Sequence, residues 1–247
     1  MYVGIFGSGK WAQLISQKLH DIGIQHIIFG RNKTIPNVED RSKIFNIKLD
    51  DVIIASSTQD HLNDLMFCLM INPTNIYIEK GLHAPINDDI RLKLKNYNIY
   101  LLNQYRFSNV IRILKKFNLN IIKSIRYSLI INSNNVSEWV PHILSIDNFI
   151  RNKENSFVID SFGIYKIDSN VTLGIYNKNF RRMSAYIDTE SYYFILDFGI
   201  NNSISIFSKI RKKFKKFTFI HEDCLRKQLT YIFNGKNINL QKLNCSV

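Results

Sequence analysis

Two kinds of hydrophobic patterning divide the chain. In the first half, short apolar runs alternate with stretches whose apolar residues recur every three to four positions. This is the signature of strand–helix–strand units around a parallel sheet. Residues 2–6 predict a strand, and 10–22 a helix with Trp11, Leu14, Ile15, Leu19 and Ile22 at helical spacing. Residues 25–29, 51–55, 76–78 and 99–102 read as further strands, and 59–70, 87–97 and 108–117 as helices. Only about 20 residues separate Arg31 from the strand at Asp51, so a helix and a strand of the usual arrangement are reduced or missing there.

Beyond residue 120 the pattern changes. A long strand is expected at 121–131, then a helix at 139–151 with Pro141 in its first turn, where a missing N–H costs nothing. Strand patterns then dominate, at 157–162, 171–176, 183–187, 192–198, 203–207 and 216–220, and their spacing with little helix between them suggests an antiparallel sheet. A last helix is expected at 223–233, with Gly235 as its C-terminal cap. The fold class is therefore α/β, with a parallel-sheet domain at 1–107 followed by an α+β domain at 108–247 on a mostly antiparallel sheet. The crossover falls near residues 104–120.

Composition narrows the picture. With 247 residues, 45% hydrophobic and 21% charged, the chain can bury a core in each of two domains. No apolar run approaches the roughly 20 residues of a membrane-spanning helix, and the first residues lack a secretory pattern, so a cytoplasmic protein is expected. Cys68, Cys224 and Cys245 are scattered, which indicates neither a disulfide framework nor a metal site; Cys68 reads as a small core residue. The net charge of +13 is spread along an Asn-, Ile- and Lys-rich sequence, which argues against nucleic acid as a partner. The one dense basic cluster, KIRKKFKK at 209–216, reads as a solvated face or turn, or alternatively as an attractor for an anionic substrate.

The chemistry-bearing motif comes first in the chain. Gly7-Ser8-Gly9-Lys10-Trp11-Ala12 follows a strand and opens a helix. In that context Gly7 permits a tight turn, Gly9 lets backbone approach a pyrophosphate, and Ala12 lets helix and strand pack closely. The helix N-terminus then offers N–H groups and a positive dipole end to phosphate. This is a Rossmann dinucleotide-binding pattern. Where an acidic residue would hold the ribose hydroxyls of NAD, the second strand ends in Gly30-Arg31-Asn32. An arginine there suits a 2′-phosphate, which favours NADP(H) over NAD(H); the alternative is an exposed surface arginine.

With these residues in place, the chain resembles the Gfo/Idh/MocA oxidoreductases, the family of glucose–fructose oxidoreductase and inositol dehydrogenase. The glycine turn is similar to that family's. So are the strand and loop from Asp51 through Ser56 and Ser57 to His61, the Glu79-Lys80-Gly81 stretch, the crossover at Gln104-Tyr105-Arg106-Phe107, and Glu138-Trp139-Val140-Pro141-His142. Gly81 stands where the family has proline, Val140 where it has glycine, and Glu138 where it has aspartate. The resemblance implies that Lys80 contacts the substrate oxygen whose carbon exchanges hydride, and that His142 shares the proton work, Glu138 orienting its ring. It implies cofactor contacts from Gly7, Ser8, Gly9, Lys10, Trp11, Arg31, Asn32, Ser56, Ser57, His61 and Glu79, and substrate contacts from Tyr105, Arg106, Glu138 and Trp139.

The reading is an NADP(H)-dependent oxidoreductase acting on a carbonyl or hydroxyl carbon of a small-molecule substrate, such as a sugar or nucleotide-linked sugar. Two alternatives stay open: a reductase of an imine or unsaturated substrate on the same fold, and a non-catalytic NADP-binding sensor. A homodimer through the C-terminal sheet is the expected assembly.

Overall fold

The computed structural model describes residues 1–31, 38–79, 88–117, 119, 121–131, 140–151, 158–159, 164–168, 171–177, 182–199 and 201–234. The chain forms two compact units: Met1–Asn103 together with the chain from Leu225, and Gln104–Cys224. The last helix, Cys224–Phe233, thus packs with the first unit, whereas the sequence division at 107/108 placed it with the second. Its Leu225, Leu229 and Phe233 join the core of that first unit. Sequence neighbourhood could not show this, because the amphipathic face of a helix does not name its partner.

In the first unit, β1 (Tyr2–Phe6), β2 (Gln25–Phe29), β3 (Val38–Glu39), β4 (Asp51–Ile54), β5 (Asn75–Glu79) and β6 (Asn98–Leu102) form a wholly parallel sheet in the order β3-β2-β1-β4-β5-β6. Alternate residues of each strand serve opposite cores. Val3, Ile5, Ile28 and Ile53 face α1 (Lys10–Asp21) and the last helix. Phe6, Phe29, Val52, Ile54 and Ile76 share a second core with Leu65 and Cys68 of α2 (His61–Ile71) and Leu94 of α3 (Asp88–Leu94). Burial on both faces is why these strands read as continuous apolar runs.

The shortening between Arg31 and Asp51 is visible: β3 is two residues long, and a 3-10 helix, Arg41–Asn46, stands in place of a longer one. Asp40 caps it by accepting from Ser42 N–H at 3.0 Å. Its Arg41 donates two bonds to the fully buried carboxylate of Asp64 on α2, which ties the short segment to the sheet's second core.

The second unit begins with a 3-10 turn, Gln104–Phe107, followed by α4 (Asn109–Leu114), whose N-cap Ser108 accepts from Ile111 N–H, and includes α5 (Val140–Arg151). Its strands are β7 (Ile122–Ile131), β8 (Val158–Ile159), β9 (Ile164–Asp168), β10 (Val171–Asn177), β11 (Arg182–Thr189), β12 (Tyr192–Phe198), β13 (Asn202–Ser208) and β14 (Lys213–Phe219). They form one sheet in the order β14-β13-β12-β11-β7-β10-β9-β8, antiparallel except where β7 and β10 run parallel. One face packs Ile125, Tyr127, Ala185, Ile187, Phe194 and Leu196 against α4 and α5. The other leaves Tyr186, Tyr193 and Ile195 exposed. The last strand begins three residues earlier than its expected start at 216, and the basic cluster forms its turn and its exposed edge.

Candidate functional site

The glycine turn joins β1 to α1 at the carboxyl end of the parallel strands, the end at which open α/β sheets bind ligands. Gly7 has φ +120°, and a Cβ there would lie 2.6 Å from the Ala55 carbonyl oxygen and 2.8 Å from Ser56 N. Only glycine lets the turn press this closely on the end of β4. Gly7 N–H donates to the Phe29 carbonyl at 2.9 Å, so β1, β2 and β4 converge on one point. Gly30 completes the packing, since a Cβ there would meet the Ser8 side chain at 2.5 Å.

Gly9 is the N-cap of α1 and is exposed; its φ of −75° is open to any residue, and a Cβ there would meet no atom of the described residues within 4 Å. Among the described residues no side chain caps this helix end, and no acidic residue occupies its first turn. The residues therefore fit a pyrophosphate: backbone N–H groups at a helix start, an approach cleared of side chain, and the exposed ammonium of Lys10 beside it. Ser56 adds a second sign of fit, because its buried hydroxyl has no hydrogen-bond partner among the described residues. Trp11 Nε1 is likewise buried without one, its ring packing against the core shared with the last helix.

The loop after β4 is braced from below. His61, nearly fully buried, pairs through Nε2 with the Ser56 carbonyl at 3.1 Å, so it supports the loop from inside the unit. Glu79 is buried at the end of β5. Ser57 donates to Asp60 at 2.7 Å, and Arg31 lies 3.5 Å from the other oxygen of that carboxylate, its side chain 80% exposed. The Ser57 bond, with the charge of Arg31 adding to it, holds the Asp60 carboxyl below its ordinary range. Sequence reading passed over Asp60. The Ser57-x-x-Asp60 spacing before a helix was a visible signal, but its pairing with a residue 29 positions away was not.

A groove of about 930 Å³ lies elsewhere in this unit, lined by Ser16, His20, Gly23 and the first residues of β2. There His26 Nδ1 lies 2.8 Å from the Ile24 carbonyl and Nε2 lies 2.7 Å from Ser16 Oγ. A carbonyl only accepts, so Nδ1 carries a proton and donates to it. This pair ties α1 to β2 at the strands' amino end, opposite the glycine turn.

In the second unit, Tyr105, Arg106 and His142 come together. Tyr105 lies in a 3-10 turn, Gln104–Phe107, and its ring meets that of buried His142 edge-on, centroids 5.3 Å apart. Tyr105 also packs edge-on against Phe198, at 5.7 Å. Arg106 donates twice to the Ser145 carbonyl of α5, at 2.8 and 3.1 Å, and its guanidinium stands over Phe149. Burial lowers its pKa to about 10. Arg106 thus serves to fasten the crossover turn to α5. Beneath, Asp147 is fully buried, accepting from Tyr127 at 3.0 Å and from Arg151 at 2.6 Å. Lys80, Asn32, Glu138 and Trp139 lie outside the described residues.

No family model matches the chain, and no curated protein does. Solved structures match it nearly end to end. A Gfo/Idh/MocA family oxidoreductase from Vibrio cholerae aligns with TM-score 0.68 and 11% identity, over 95% of this chain and 87% of that one. KijD10, a 3-ketoreductase from Actinomadura kijaniata solved with NADP, gives 0.71 and 11%, over 96% and 91%. A mutant of the same ketoreductase was solved with TDP-benzene and NADP. The super-repressor mutant of Gal80p from Saccharomyces cerevisiae gives 0.65 and 14%, over 100% and 88%. At these identities the likeness is one of fold, and the fold is that of the Gfo/Idh/MocA oxidoreductases.

Proposed function

We propose that this chain is an NADP(H)-dependent oxidoreductase that reduces a carbonyl, or oxidises the corresponding hydroxyl, on a sugar or nucleotide-linked sugar. The observation that carries the reading is the glycine turn: Gly7 pressed on β4 at a backbone angle reserved for glycine, and Gly9 open at an uncapped helix start. The nicotinamide, when bound, supplies or accepts the hydride. Gly9, Ser8 and Lys10 hold the pyrophosphate; Arg31, with Asn32 beside it, takes the 2′-phosphate; Ser56 and Ser57 border the dinucleotide while His61 braces their loop. Lys80 polarises the substrate oxygen and donates or accepts its proton, an ammonium being suited to a developing alkoxide. His142, its ring held edge-on by Tyr105, is the second proton-handling group, with Glu138 and Trp139 completing the substrate side.

Support for the substrate class comes from the ketoreductase likeness and from its complex with a nucleoside-diphosphate compound. NADPH oxidation against a panel of keto-sugars and nucleotide-linked keto-sugars tests the reading. Turnover in the wild type that falls at least a hundredfold in Lys80→Met is the expected result. A second reading, a cofactor-binding regulator, draws on the Gal80p likeness; saturable NADPH binding with no turnover on the whole panel would favour it. The exposed Tyr186, Tyr193 and Ile195 on the open sheet face support pairing with a second copy, and sedimentation of Ile195→Arg should then shift the protein toward monomer.

A further inference from the structure

We infer that Asp60 is a selectivity-setting residue that engages Arg31 and thereby restrains binding of a cofactor carrying a 2′-phosphate. The inference rests on the reading of Arg31 as the 2′-phosphate contact.

Two features make Asp60 a fixed competitor for that guanidinium. Its carboxylate is anchored on the side away from Arg31, where the Ser57 hydroxyl donates to Oδ2 at 2.7 Å. It also stands at the start of α2, where its own carbonyl accepts from Asp64 N–H at 2.9 Å, so the backbone beneath it is held. Arg31 approaches the remaining oxygen, Oδ1, at 3.5 Å with its side chain largely in solvent. One partner is positioned and the other is long and exposed, so the arginine is the partner that moves.

A second cation, Arg41, is already committed to Asp64 by two hydrogen bonds and does not substitute for Arg31. A phosphate on the 2′-oxygen must therefore draw Arg31 away from Asp60 or share it at a distance from a fixed negative charge. A cofactor with a free 2′-hydroxyl leaves the Arg31–Asp60 pair intact. Asp60 thus weakens binding of the phosphorylated cofactor alone, and narrows a preference that Arg31 by itself would make wide.

The test is a fluorescence titration of NADPH and NADH against wild type, Asp60→Asn, Asp60→Glu, Arg31→Ala and the Arg31→Ala/Asp60→Asn double variant. Asp60→Asn should tighten NADPH about two- to fivefold, the range open to an exposed ion pair. It should leave NADH unchanged. Asp60→Glu should keep the wild-type preference, and the gain should fall by more than half in the Arg31→Ala background. Equal tightening of both cofactors, no change in either, or a gain undiminished without Arg31 would overturn the inference. Arg31→Ala that leaves the NADPH preference intact would overturn the phosphate reading itself. Loss of that preference in Arg31→Ala with Asp60→Asn inert would overturn only the role of Asp60.

Discussion

The two units bury their sheets in opposite ways. The parallel sheet is covered on both faces, so Val3 and Phe6, or Val52 and Ile53, belong to different cores although they stand on the same strand. The antiparallel sheet is covered on one, so Phe194 is buried and Ile195 beside it is 39% exposed. Each unit nevertheless solves one problem alike. Asp64 in the first and Asp147 in the second are fully buried carboxylates, each met by an arginine, Arg41 and Arg151. The difference shows what each unit leaves open in the single chain: the first only strand ends and loops, the second a whole sheet face.

The largest test of that contrast is Phe194→Ala, which should cost about 3–5 kcal/mol in chemical denaturation, while Ile195→Ala next to it changes stability by less than about 0.5 kcal/mol. With the protein dilute enough to be a single chain, comparable losses at both positions would contradict the contrast between a buried and an open face. Arg41→Ala comes next. It strands the Asp64 carboxylate, and about 3 kcal/mol of stability should go with it, whereas Arg41→Met together with Asp64→Leu should recover most of the loss.

Gly7→Ala should cost about 2–3 kcal/mol, from an unfavourable φ and a Cβ driven into the Ala55 and Ser56 backbone, and should abolish NADPH binding. A variant of normal stability and affinity would mean that the turn is not held as described. The smallest effect concerns Asp51, at the start of β4. Burial, first, raises its carboxyl above the ordinary 3.8, partly offset by the 2.8 Å bond from Asn75. The folded state therefore holds that proton more tightly than the unfolded chain, and stability falls as pH rises from about 3.8 through the raised value. Asp51→Asn should flatten that part of the stability–pH curve, and an unchanged slope would reassign it to another group.

Much of this was legible because burial writes itself into hydrophobic spacing. The strands at Tyr2–Phe6, Gln25–Phe29 and Tyr192–Phe198 coincide with their expected bounds. Where burial is weak the pattern fails: β14 has no buried face, so its start was misplaced. The strand β9, at Ile164–Asp168, was not anticipated. Two-residue β3 is too short to carry any period. Of the candidate site, Gly7 and Gly9 were readable because their spacing is a steric demand of the turn. Asp60 with Arg31, and Arg41 with Asp64, were not, since each pair meets only once the chain is folded.

The claim beneath the whole account is that the turn at Gly7–Gly9 receives a dinucleotide whose 2′-phosphate reaches Arg31. Direct titration of the wild-type chain with NADPH and NADH, followed by energy transfer from protein to reduced nicotinamide, tests it without any knowledge of the substrate. Saturable binding of both, with NADPH the tighter, is the result expected. Absence of binding by either up to about 1 mM, the upper end of ordinary enzyme–substrate affinities, would contradict it.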